Sequence, residues 1–211
     1  MKKNTKVQIL EVLPTKIFSF ECPDEKLVSE TLISLKKEEW DLGPEAKFAQ
    51  TICRRLDKEK DYAKLYLWFD SCLEAVRNFL NLQCDELKIT LSWANKSSNH
   101  DSLQDHKHPN SYASGVFYLT DSDVKTVFNK YNTWSNFDGI SFTNFQLNSG
   151  SGLGYAHQPK RGHLLIFPSS LSHFVKGNNE QKERYTISFN SFPSGKIGDF
   201  GNLSGLNIII K

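Results

Sequence analysis

The sequence lacks a C-x-x-C pair. Its four cysteines, Cys22, Cys53, Cys72 and Cys84, stand far apart, which argues against a zinc knuckle or a redox dithiol and leaves buried reduced thiols as the expectation. It also lacks an excess of charge. Lys and Arg number 26 against 24 Asp and Glu, a formal +2, too little to draw the chain to nucleic acid or to an anionic membrane. No apolar run approaches the length of a membrane span, and Met1-Lys-Lys-Asn-Thr5 leads into an alternating stretch rather than the apolar core of a leader. A soluble protein of the cytoplasm is expected. The glycine-rich run Asn148-Ser-Gly-Ser-Gly-Leu-Gly154 lacks the Lys-Ser/Thr of a phosphate loop and opens no helical pattern, so it reads as a turn. No internal repeat and no linker is visible.

What is present is apolar enough for one core: 211 residues, 38% hydrophobic and 12% aromatic, the size of a single domain. Short strands are expected at 7–13 and 16–20, broken by Pro14. Asp24 is placed to cap a helix carrying Leu27, Val28, Leu32 and Leu35. A stronger helix is expected over about 62–82, with Leu65, Phe69, Cys72, Leu73, Val76 and Phe79 as one apolar stripe, most simply a scaffold packed on a sheet. From Leu87 the pattern changes to short β-type runs at 87–94, 113–119, 124–128, 140–147, 163–167 and 185–192. Runs so spaced favour a sandwich or barrel, and the absence of strand–helix alternation argues against a doubly wound parallel sheet. The chain thus reads as one domain with a largely helical support over about 1–86, a β core over about 87–193, and a C-terminal strand over 194–211.

The chemistry rests on histidine placement. His106 and His108 alternate at strand spacing, so an extended backbone would turn both imidazoles to one face. Alone, such a pair is more often two residues of a polar surface or loop than a pair of ligands. His173 follows the strand Leu164-Leu-Ile-Phe167 and the turn at Pro168, and Arg184 comes eleven residues later at the mouth of another strand. The four together are far more specific. Iron(II) accepts borderline nitrogen and oxygen donors on one triangular face, leaving the opposite positions for a co-substrate and O₂. A chelating 2-oxo diacid leaves a remote carboxylate that needs a cation, and a guanidinium pairs with it in a fixed, two-point manner.

Taken together, His106-Lys-His-Pro-Asn-Ser, Ser114-Gly-Val-Phe-Tyr-Leu119, Gly162-His-Leu-Leu-Ile-Phe-Pro168, His173 and Arg184-Tyr-Thr-Ile-Ser-Phe-Asn190 resemble the 2-oxoglutarate/iron(II) oxygenase superfamily. The resemblance is to its prolyl-hydroxylase-like branch, and within that to a subfamily found in bacteria and phages. It covers roughly 87–193, about half the chain. It implies a mainly β fold with flanking helices, a double-stranded β-helix or jelly-roll. It implies His106 and His173 as iron ligands, Arg184 as partner of the 2-oxoglutarate distal carboxylate, and Thr186 as a hydrogen-bonding neighbour of that carboxylate. Tyr118 matches a co-substrate-binding tyrosine of prolyl hydroxylases, with a plain core aromatic as its alternative. The implied partners are O₂ and an unidentified substrate, a peptide or protein side chain or a small metabolite, hydroxylated with release of succinate and CO₂. A phage protein acting in host cytoplasm is one form the location would take; the oligomeric state is left open.

The departure from the family lies at position 108, where a carboxylate is expected and the chain has His108. Three neutral imidazoles leave the ferrous charge uncompensated until the anionic co-substrate arrives. Direct ligation by His108 is the leading expectation, with an oxygen from Asn110 or Asp105 as the alternatives. His163 reads as a strand-entry residue, while His157, and Trp134 within Tyr131-Asn-Thr-Trp-Ser-Asn-Phe137, read as loop residues that could cover a substrate. His100 is a weaker candidate. Trp93 reads as core packing, and Asn95 ends the same strand within reach of a co-substrate. Two other functions compete: a cupin-like metal enzyme that does not use 2-oxoglutarate, which Arg184 weighs against, and a metal-free jelly-roll that binds a ligand.

Overall fold

The structure is a computed structural model that describes residues 14–42, 49–97, 102–129, 154–175 and 182–210. The runs expected as strands at 7–13 and 140–147, the glycine-rich run up to Leu153, His100 and Trp134 lie outside the described residues. In chain order the elements are β1 (Phe18–Glu21), α1 (Glu25–Leu35), β2 (Trp40–Leu42), β3 (Ala49–Thr51), α2 (Ala63–Phe79), β4 (Cys84–Ser97) and β5 (Leu103–His106). There follow β6 (Ala113–Tyr118), β7 (Thr126–Asn129), β8 (Gly154–His157), β9 (His163–Pro168), β10 (Ser172–Val175), β11 (Arg184–Ile197) and β12 (Leu206–Ile208).

The helices start and stop where local chemistry dictates. The Asp24 side chain accepts the Leu27 N–H at 3.0 Å, satisfying one of the orphan donors at the start of α1. A 3-10 turn, Lys60–Tyr62, leads into α2. The helix ends at Phe79, and Asn81 then takes a left-handed φ of 50°, a conformation Asn tolerates beyond a helix end. Leu65, Phe69, Cys72, Leu73 and Val76 are buried as the stripe requires. Phe79 departs from it: the residue is 67% exposed, touching Phe18 edge-on at 5.3 Å, because it sits at the last turn where the sheet no longer covers the helix.

The strands form two antiparallel sheets. The larger has the order β1-β9-β6-β11-β4-β3-β2, with β12 paired to the far end of β11, and the smaller has the order β5-β10-β7-β8. This is the jelly-roll arrangement. The N-terminal support therefore also supplies strands, since β1 borders β9 and β2–β3 extend the sheet past β4. Side chains alternate across β11. Tyr185, Ile187 and Phe189 join the core under α1 and α2, where Phe69 lies 5.2 Å from Phe189. Arg184, Thr186 and Ser188 face the other way, into a cavity between the sheets. A second apolar cluster of Tyr118, Phe128, Leu165 and Phe167 fills the sandwich beside that cavity. Gly115 pairs with Phe189, whose ring occupies the space a Cβ at 115 would need. Among the described residues no helix is long and apolar enough to cross a membrane, and all four cysteines are free, Cys72 and Cys84 buried, Cys22 and Cys53 half-buried.

Candidate active site

Two histidines are brought together by strand pairing. His106, the last residue of β5, lies directly opposite His173 of β10, with ring centroids 4.3 Å apart. His108 falls just beyond β5 rather than on it, where its backbone N–H donates to the Ser169 carbonyl at 3.0 Å. That bond turns the His108 ring back toward the pair, 5.1 Å from each of the other two rings. One ligand atom from each of the three lies within 4.8 Å of the others.

The hydrogen bonds assign the tautomers. A carbonyl can only accept, so His106 Nδ1, 2.8 Å from the Gln104 oxygen, and His173 Nδ1, 3.0 Å from the Leu171 oxygen, both carry protons. Their Nε2 atoms are left as acceptors, the usual division of labour in a metal-binding imidazole, and in the metal-free chain that of His173 accepts from His108 Nε2–H, the proton a metal would replace. His173 Nε2 lies 3.3 Å from His108 Nε2. For a metal about 2.1 Å from each nitrogen, neighbouring donors stand about 3.0–3.4 Å apart, so this pair is already at bonding span. Burial pushes His108 down to about 3, helped by the charges of His173 and His106. Burial likewise pushes His173 down to about 4, with the Leu171 carbonyl opposing the shift. Both are neutral at pH 7 and hold their lone pairs, so the donor set fits a divalent transition metal.

The oxygen alternatives are not assembled. Asp105 is exposed and its carboxylate accepts the Ser172 hydroxyl at 2.5 Å, and Asn110 is exposed in a turn with φ of 56° rather than on a strand. His157, expected in a loop, is part of β8, its ring stacked 5.8 Å from that of Tyr118. His163 opens β9 as expected, and neither joins the three.

Arg184 opens β11, 9% exposed, and its guanidinium stands over the Tyr118 ring at 5.7 Å. It lines the same cavity of about 210 Å³ as the three histidines and Thr186. Tyr118 is fully buried and its hydroxyl is engaged with Thr126 Oγ1 at 2.8 Å; burial pushes its phenol up. The ring thus backs the guanidinium. Trp93 is on the cavity wall rather than in the core, its ring 5.8 Å from that of His108, and Phe167 shields His173 at 4.9 Å. Several cavity residues were not anticipated. Ser188 was legible from the two-residue period that already joins Arg184 and Thr186, whereas Gln50, from a three-residue strand, and Ser102 carry no sequence signal.

Residues 91–190 match the model of a family described as "Putative 2OG-Fe(II) oxygenase". That stretch belongs to the 2-oxoglutarate/iron(II) oxygenases. The fold is shared with HygX from Streptomyces hygroscopicus, solved with nickel, 2-oxoglutarate and hygromycin B bound, at TM-score 0.64 and 14% identity, covering 93% of this chain and 92% of that one. SnoN, a non-heme alpha-ketoglutarate-dependent epimerase from nogalamycin biosynthesis, aligns at TM-score 0.64 and 11% identity over 89% of this chain and 82% of its own. A Pseudomonas putida prolyl-4-hydroxylase aligns at TM-score 0.61 and 14% identity, over 86% and 94%. No curated protein matches the chain.

Proposed function

We propose that the protein is a 2-oxoglutarate- and Fe(II)-dependent oxygenase that hydroxylates its substrate, with His106, His108 and His173 as metal ligands and Arg184 and Thr186 as the seat of the co-substrate. The observation that carries this reading is the convergence of three imidazoles and a buried guanidinium on one cavity between the sheets. Iron held there would supply the activation of O₂, coupled to oxidation of 2-oxoglutarate to succinate and CO₂ as one oxygen atom enters a substrate C–H bond. The three imidazoles would hold the metal and leave positions open for the co-substrate and O₂. Arg184, backed by the Tyr118 ring, neutralises the remote carboxylate, and its planar fork sets the direction in which the diacid lies. Phe167 and Val116 are apolar walls of the cavity that keep water from the reacting carbon.

The substrate reading is coarser. The bound hygromycin B of HygX and the peptide-directed name of the prolyl-4-hydroxylase frame the two classes, a small polyfunctional metabolite and a peptide or protein side chain. Trp93 and the uncharged polar groups of the cavity suit a neutral, hydrogen-bonding substrate region. A cupin-like enzyme without 2-oxoglutarate would have no use for the buried Arg184, and a metal-free binding protein none for three imidazoles converging within 4.8 Å. Anaerobic addition of Fe(II) and then 2-oxoglutarate tests the assignment. A metal-to-ligand charge-transfer band should appear only with both present. Its absence at saturating reagents would remove the proposal.

A further inference from the structure

A polar row crosses three neighbouring strands of the large sheet. Gln50 of β3 pairs with Asn95 of β4, and Asn95 pairs with Thr186 of β11. Arg54 Nη1 donates to Gln50 Oε1 at 2.9 Å, and Gln50 Nε2 donates to Asn95 Oδ1 at 3.0 Å. Asn95 Nδ2 then donates to Ser188 Oγ at 3.1 Å and to Thr186 Oγ1 at 3.4 Å.

The direction of this row is dictated from one end. A guanidinium has donors and no acceptor, so Gln50 must turn its oxygen to Arg54 and its NH₂ to Asn95. Asn95 must then turn its oxygen to Gln50 and its NH₂ to the two hydroxyls. Each hydroxyl, having accepted from Asn95, keeps its own proton to donate. Neither has an acceptor for that proton among the described residues, and both line the cavity. Thr186 and Ser188 are one strand repeat apart on the same face, and both hydroxyls bond to the one nitrogen Asn95 Nδ2, at 3.4 and 3.1 Å, which keeps their oxygens under about 6.5 Å apart, a span that the two carboxylates of an extended five-carbon diacid can meet. Ser188 is opposite Trp93 in register, the Trp93 ring lies 5.8 Å from that of His108, and Thr186 is two residues from Arg184 along the strand.

We propose that Arg54, Gln50 and Asn95 are positioning residues that hold Thr186 and Ser188 as paired hydrogen-bond donors to the two ends of a dicarboxylate, 2-oxoglutarate, in the cavity. The proposal rests on the oxygenase reading above, and Arg54 and Gln50 lie outside the family-matched stretch. Its consequence is that reversing one amide reverses the hydroxyls. Gln50→Glu offers acceptors only: one oxygen takes the Arg54 donor, the other draws the Asn95 NH₂ round, and the Asn95 oxygen then captures the Thr186 and Ser188 protons.

The test measures 2-oxoglutarate affinity by calorimetry with Zn(II) in place of iron. Hydrogen bonds to a charged group are worth about 1.5–3 kcal/mol, so Gln50→Glu should weaken binding about ten- to a hundredfold. The added negative charge is controlled by repeating the substitution in a Thr186→Val, Ser188→Ala background. There are no hydroxyls to redirect there, and the loss should shrink to about threefold or less. Asn95→Asp, read through the same cycle, serves if Gln50→Glu fails to fold. Wild-type affinity in a folded Gln50→Glu protein, or an equal loss in both backgrounds, would overturn the relay while leaving the co-substrate reading intact. A wild type that binds no 2-oxoglutarate overturns both.

Discussion

Arg184→Ala is the perturbation that separates a 2-oxoglutarate enzyme from a metal enzyme that has no use for the diacid. Arg184 is 9% exposed, stands over the Tyr118 ring and lines the cavity with the three histidines. A carboxylate that reaches it leaves water to do so, and without the guanidinium that desolvation has no return. Breaking a fully buried pair costs about 3 to 5 kcal/mol. The residual exposure and a neighbouring hydroxyl on Thr186 favour the lower end, so the loss should be on the order of a hundredfold in affinity. Arg184→Lys keeps the charge but not the two-point geometry and should fall between wild type and alanine. Calorimetry with a redox-inert divalent metal reads the co-substrate step alone, and titration of the metal without 2-oxoglutarate should give nearly the same affinity in all three proteins. Equal 2-oxoglutarate affinity in wild type and Arg184→Ala would refute the assignment.

Position 108 gives a second expectation: an anomalous map from metal-soaked crystals should put the ion at about 2.0–2.2 Å from a His108 ring nitrogen, and His108→Asp should retain metal binding because a carboxylate offsets part of the ion's charge. A metal more than about 3 Å from that ring would show that His108 is not a ligand. The third concerns pH in the metal-free protein. Burial holds His108 down to about 3 and His173 down to about 4, against 6.5 for a free imidazole. As pH falls through 6.5 the unfolded chain takes up protons that the folded chain refuses, so stability present above that pH is lost as it falls toward 4 and then 3. Melting temperature should drop between pH 7 and pH 4.5, and less steeply in His173→Gln; parallel profiles for the two proteins would contradict the burial argument.

What the sequence made legible is what periodicity and local chemistry encode. The Asp24 cap, the α2 stripe and the long strands β4, β6, β9 and β11 all sit near their expected places because each carries its own pattern over several residues. The strands β2, β3, β5, β8, β10 and β12 have three or four residues each. A run that short carries little period to read, and its pairing is decided by the sheet it joins. Gln50 was invisible for that reason, and so was the strand character of His157, while Arg54 lies in a bend beyond β3. The strands β1 and β7, also four residues each, were legible from their apolar, β-branched and aromatic residues.

The site shows the same division in sharper form. His106 and His173 were singled out by residue type and spacing, but their adjacency is a product of register: β10 lies antiparallel to β5 so that the two residues stand opposite one another. A slip of one residue would turn either imidazole to the other face of the sheet. His108 escapes that constraint because it lies past the strand end, where the Ser169 carbonyl holds its backbone. An imidazole is longer than the carboxylate expected at that position. Its reach to within 3.3 Å of His173 Nε2 depends on the turn that begins there, and the positive φ of Asn110 helps bring the chain back into β6 at Ala113. The departure at 108 is therefore accommodated by a local backbone path, which a motif written as residue types and intervals has no means to express.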